Sequence, residues 1–134
     1  MCQIKTEKFQ LDFTPEIFDG DKSPVNATLH VEVKSYDFAA RADMDINSND
    51  FKEFCHGIRQ MYETLSGSAE IGELYGTKMN IKFTVSAKGT IKVSGYLSAM
   101  YDEGQHDFRF ENSFDQTCLR DFALGLYNKF GGMS

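Results

Sequence analysis

Residues 26–67, NATLHVEVKSYDFAARADMDINSNDFKEFCHGIRQMYETLSG, decide the fold class, because the spacing of their apolar side chains changes part-way along. Leu29, Val31 and Val33 alternate with His30, Glu32, Lys34 and Tyr36, as the two faces of a half-buried strand do. From Phe38 the alternation resumes, with Ala40, Ala42, Met44 and Ile46 inward and Arg41, Asp43 and Asp45 outward, so residues 35–37 read as a hairpin turn. Then Phe51, Phe54, Cys55, Ile58, Met61, Tyr62 and Leu65 recur at spacings of three and four, which is one stripe of an amphipathic helix. Ser48 or Asn49 is placed to cap its first turn. Asp50 and Glu53 complement the positive end of its dipole, and Gly67 suits a left-handed position just past its end.

Upstream, Phe9, Leu11 and Phe13 supply a first strand, followed by the loosely composed stretch from Thr14 to Pro24. Downstream come Ile71 to Leu74, a turn at Tyr75 and Gly76, and a strand with Met79, Ile81, Phe83 and Val85 inward. Lys88 and Gly89 reverse the chain. Ile91, Val93, Gly95, Leu97 and Ala99 then line one face, Asp102 to Gly104 turn again, and Phe108 and Phe110 continue a final strand. A second helix starts at Ser113 or Asp115, carries Leu119, Phe122, Ala123, Leu126, Tyr127 and Phe130 at helical spacing, and ends on Gly131 and Gly132. The pattern predicts an α+β fold: an antiparallel meander sheet of about six or seven strands, with amphipathic helices near residues 49–65 and 115–130 packed on one face. No repeat or charge block divides the chain, so residues 1–134 are expected to form a single domain.

Composition narrows the function. The 134 residues are 41% hydrophobic and 25% charged, which is globular rather than disordered, and twelve Phe and six Tyr without a Trp point to an aromatic core. A net charge of −6 and a pI near 5.0 count against direct nucleic-acid binding, which needs a basic stripe, and permit steering toward a basic protein. Cys2, Cys55 and Cys118 form no CxxC pair and cannot all pair with one another, so a reducing compartment is expected. The opening MCQIKTEKFQLDF has no apolar signal-peptide core, and no stretch approaches a membrane span. Cytoplasmic residence follows as the expectation.

Catalytic patterns are missing from the sequence. Cys55 and His56 are helix neighbours that point about 100° apart and cannot face each other. Cys118, beside Leu119, reads as a filler of a helix face. His30, His56 and His106 have no metal-ligand spacing, and the glycines fit no phosphate-cradling pattern. Asp43 and Asp45 on one strand face are compatible with a cation site but read as an ordinary solvated strand. No cofactor, metal or enzymatic activity is therefore expected.

The placement of charge suggests a binding surface instead. On the outer sheet face Glu32, Asp43, Asp45, Asp107 and Glu111 are matched by Lys34, Arg41, Lys82, Lys92 and Arg109. The acidic excess is expected in loops and element ends, in Asp12, Glu16, Asp19 and Asp21, in Glu63, Glu70 and Glu73, and around Asp102. Asp102, Glu103, Asp107 and Glu111 form the candidate steering cluster, with Tyr96, Met100 and Tyr101 as the apolar anchors beside it.

The strand meander, the helix opening NSNDFKEFCHGIRQMYETLSG, the strands around KGTIKVSGYL and the closing FRFENSFDQTCLRDFALGLY resemble the WapI family of bacterial immunity proteins over roughly residues 9 to 128. Phe108, Phe110, Asp115, Gln116, Thr117 and Leu119 carry its most specific motif, a strand running into a helix start. The resemblance implies a cytoplasmic antidote that binds the toxic domain of a polymorphic toxin, often a nuclease, and blocks it in the producing cell, and the acidic charge balance fits a basic partner. A secretion-type chaperone for an effector segment and a small-ligand carrier are the alternative classes; the oligomeric state is left open.

Overall fold

The alternating segments divide between two four-stranded antiparallel sheets, where the sequence predicts one continuous meander. The computed structural model describes residues 2–18, 23–75, 78–101 and 103–131. Sheet A takes β1 (Cys2–Lys5), β2 (Phe9–Ile17), β3 (Ala27–Ser35) and β4 (Phe38–Ile46) in sequence order, and α1 (Ser48–Thr64) follows. Sheet B takes β5 (Ser68–Gly72), β6 (Asn80–Val85), β7 (Ile91–Tyr101) and β8 (Gly104–Phe114), again in order. The chain closes through a 3-10 turn (Gln116–Leu119), α2 (Arg120–Leu126) and a wider π turn (Tyr127–Gly131). The two halves repeat one plan, four meandering strands and a helix, without a matching sequence repeat. Alternation reports which face of a strand is apolar and is silent on which strands pair. After α1, β5 pairs with β6, and the chain just past it returns to the end of β4, where the Leu74 N–H donates to the Asp45 carbonyl at 2.9 Å.

Local corrections have local causes. β1 escapes detection because it has only two inward positions, Cys2 and Ile4. β2 extends to Ile17, so Thr14 to Ile17 belong to a strand rather than a loop. Asn47, not Ser48 or Asn49, caps α1: its side-chain oxygen accepts from the backbone N–H of Asn49 at 2.9 Å and of Asp50 at 3.3 Å. The N–H of Ser48 is already taken by Asn26 Oδ1 at 2.7 Å. Leu65, with φ 54, makes the left-handed turn that ends the helix and thereby leaves the buried stripe. Gly67, with φ 92, acts later, in the lead into β5. Gly76 lies outside the described residues, as do Asp19, Asp21, Lys22, Asp102 and Gly132.

Both helices cover the inner faces of both sheets, whereas the sequence pattern predicts them on one face of one sheet. Phe13 of sheet A lies 5.9 Å from Phe54 of α1 and 5.4 Å from Phe122 of α2, measured between ring centroids. Phe83 of sheet B lies 6.0 Å and 5.8 Å from the same two rings. Each helix thus contributes one phenylalanine that touches both sheets, and burying such a side chain stabilises the fold by about 1.5–3 kcal/mol. One buried cluster contains residues of both sheets and both helices. At the seam, Ser35 of β3 and Asn112 of β8 hydrogen-bond each other, with Asn112 Nδ2 donating to Ser35 Oγ at 3.0 Å. Asn112 is buried there, and this pairing satisfies its amide.

Candidate functional site

The register of β7 against β8 sets Tyr96 opposite Arg109, Ser98 opposite Asp107 and Met100 opposite Gln105. Tyr96, Met100, Asp107 and Glu111 therefore share the outer face of one ribbon, and Glu103 is exposed at its turn. The side chain of Tyr101 and the whole of Asp102 lie outside the described residues. Charge on this ribbon is matched internally. Asp107 Oδ1 accepts from Ser98 Oγ and Tyr96 Oη, both at 3.0 Å, and these bonds, Ser98 first, hold its carboxyl below the usual range. Arg109 stacks over the Tyr96 ring at 4.5 Å, and Lys92 pairs with Glu111 at 3.1 Å.

Sheet A presents a different outer face. Its register aligns Gln3, Asp12, Glu32 and Arg41 across all four strands, then Thr14, His30 and Asp43, then Glu16, Thr28 and Asp45. Asp12 and Glu16, expected among loop charges, thereby join Glu32, Asp43 and Asp45 on one surface. The balanced face read from the sequence is not a single face. Sheet B keeps the balance, with Glu70, Asp107 and Glu111 against Lys82, Lys92 and Arg109, whereas the acid-rich end of sheet A is answered by Arg41 and His30. Lys5 and Lys34 occupy the row at the opposite end. Reading β2 as a strand through Ile17 would have revealed this, since Leu11 and Phe13 inward place Asp12 and Glu16 outward.

His30 organises that face. Its Nδ1 lies 2.7 Å from Asp43 Oδ1 and its Nε2 lies 3.1 Å from Glu16 Oε2, so a carboxylate faces each ring nitrogen. The bonds to Asp43 and then Glu16 raise its pKa above the ordinary value. Arg41 Nε bonds Glu32 at 3.0 Å. Asp12 is buried, accepts from Gln10 Nε2 at 3.0 Å through Oδ2, and leaves Oδ1 buried without a hydrogen-bond partner.

A family model described as the Immunity protein WapI-like family matches residues 3–129. The chain belongs to this family. A crystal structure described as trypanosoma bruciei MRP1/MRP2 aligns with 90% of this chain and 86% of that chain, at 12% identity and a TM-score of 0.45. No curated protein matches the chain.

Within the WapI-like family reading, the Asp-Gln-Thr motif is architectural here: Asp115 Oδ1 caps the closing helical segment by accepting from the Thr117 N–H at 2.9 Å, and hydrogen bonds from the Thr117 backbone and then its side chain lower the Asp115 pKa. Phe108 and Phe110 stack at 5.7 Å on the inner face of β8. The thiols sit in packing positions: burial pushes Cys55 up to about 12 and raises Cys2 as well, which suppresses the thiolate a nucleophile needs. Among the described residues no three His, Cys, Asp or Glu side chains are grouped to hold a metal ion, and no helix is long and apolar enough to cross a membrane. A cleft of about 530 Å³ opens at the seam between β4 and the β7–β8 ribbon, lined by Ala40, Arg41, Leu97, Ala99, Asp107 and Phe108. At the β3–β4 hairpin tip, Tyr36 and Phe38 are exposed, and Tyr36 holds a left-handed φ of 56.

Proposed function

We propose that this chain is a non-enzymatic immunity protein that binds a cognate toxin domain and blocks it in the cytoplasm of the producing cell. The observation that carries this reading is the match to the WapI-like family over residues 3–129. The acid-rich outer face of sheet A supports a basic toxin, such as a nuclease that must itself attract phosphate. Opposed fields of this kind accelerate encounter and exclude wrong partners. A nuclease so covered is inhibited without any chemistry on the part of its antidote.

Co-expression with the toxin domain encoded beside this chain's gene tests the reading. The two should elute together from a sizing column as a complex containing one folded toxin domain. Separate elution of two folded proteins sinks the reading. Capture of an extended effector segment, or of a small molecule, would point to the chaperone or the carrier class.

A further inference from the structure

A pocket of about 280 Å³ opens on the outer face of sheet A, lined by Asp12, Thr14, His30, Glu32, Arg41 and Asp43. It lies just below the range of about 300–1,000 Å³ typical of small-molecule sites, a size suited to one side chain. Its polar lining is dominated by acceptors. Asp12 is 6% exposed, and its Oδ1 has no hydrogen-bond partner. An acceptor buried in this way is costly unless a donor reaches it, so a donor brought from outside the chain would be stabilising there. Metal is a poor fit, because both ring nitrogens of His30 already face carboxylates and no three-ligand group exists among the described residues.

The geometry points to this pocket as a socket for one arginine side chain of a protein partner. The assignment rests on the immunity reading for the identity of that partner, but not for the chemistry of the socket. A guanidinium offers five donors in a planar fork, which matches carboxylates spread around a pocket better than the single point of an ammonium does. Asp12 would accept from the incoming fork through Oδ1, with Asp43 and Glu32 at the rim. Arg41 is 83% exposed and bonds Glu32 rather than Asp12, and Gln10 takes only Oδ2 of Asp12, so among the described residues no side chain fills the Oδ1 acceptor.

The test uses two probes on the full chain. In the first, N-acetyl-arginine amide is titrated into isotope-labelled protein by NMR, with the capped lysine as comparison. Saturable shifts at Asp12, Thr14, His30 and Asp43 are expected, stronger for arginine than for lysine and weakened at least tenfold in Asp12→Asn. Shifts absent from these residues, or unchanged in Asp12→Asn, overturn the socket. In the second, the affinity of the cognate toxin domain is compared between wild type and Asp12→Asn, with Glu32→Gln as a second variant. A loss of at least tenfold, with the melting temperature held or raised, is expected, since a purely structural Asp12 would lower the melting temperature instead. Equal affinity overturns the socket while leaving the immunity reading standing. If the wild type fails to bind the toxin, the immunity reading falls and the arginine titration alone decides the socket.

Discussion

The ring of Phe110 occupies the space in which a side chain at Gly95 would begin. These residues are cross-strand partners in β7 and β8, and a Cβ on Gly95 would fall 2.5 Å from both Cε1 and Cζ of that ring. The ring cannot yield freely, because Phe110 is buried and packs against Phe9 at 6.1 Å and Phe108 at 5.7 Å. Gly95→Ala should therefore destabilise the protein by about 1–3 kcal/mol in urea unfolding, as overpacking does. Ser94→Ala on the adjacent, outward position should change stability by less than about 0.5 kcal/mol. Equal effects of the two substitutions would show that Phe110 moves aside.

Phe54 and Phe122 each join the two sheets, so truncating either to Ala should cost about 3–5 kcal/mol. A loss below about 1 kcal/mol would place that ring outside the shared core. Because both rings touch Phe13 and Phe83, the double variant should depart from additivity, and a double-mutant cycle in the same urea assay measures that coupling.

These residues also show where sequence is legible. Phe54 and Phe122 stand out because helical spacing gathers an apolar stripe, and the β3–β4 hairpin stands out because Leu29, Val31 and Val33 alternate cleanly. The division into two sheets does not stand out, since Leu97 and Val33 present the same alternation whichever sheet receives them. The Ser35–Asn112 contact joins residues far apart in sequence, and nothing local marks either side chain. Four successive residues, Asn47 to Asp50, are all suited to capping, so local chemistry cannot choose among them. The acidic face of sheet A is hard to read from sequence because Asp12 and Glu16 flank the loosely composed start of residues 14–24, although their partners across the sheet are Glu32 and Thr28.

His30 should titrate above its ordinary value of 6.5, because both its nitrogens face carboxylates. A raised folded pKa means that its contribution to stability is complete below 6.5 and is lost as pH rises through the folded value. The stability difference between wild type and His30→Gln should therefore shrink as pH rises from below 6.5 through the folded value, and remain small throughout because the pair is exposed. Imidazole NMR should show Asp43→Asn lowering the His30 pKa more than Glu16→Gln does. A His30 pKa at or below 6.5 in the wild type contradicts the arrangement.

Thiol labelling should follow burial. Cys118 is half-buried while Cys55 is fully buried, with its thiol pushed up to about 12. A maleimide reagent near neutral pH should modify Cys118 in the native protein and reach Cys55 only on unfolding. Rapid native labelling of Cys55, detected by mass spectrometry of the digested protein, would reveal a reactive thiol and reopen the question of catalysis.

Inhibition by stoichiometric binding leaves a distinct signature in a simple titration. Increasing amounts of this protein are added to a fixed amount of the cognate toxin domain, well above the dissociation constant, and residual toxin activity is measured. Activity should fall linearly and vanish at one equivalent. Toxin that remains active in large excess of the protein, or that is inactivated by far less than one equivalent, contradicts the account: the first excludes neutralisation, and the second requires catalysis.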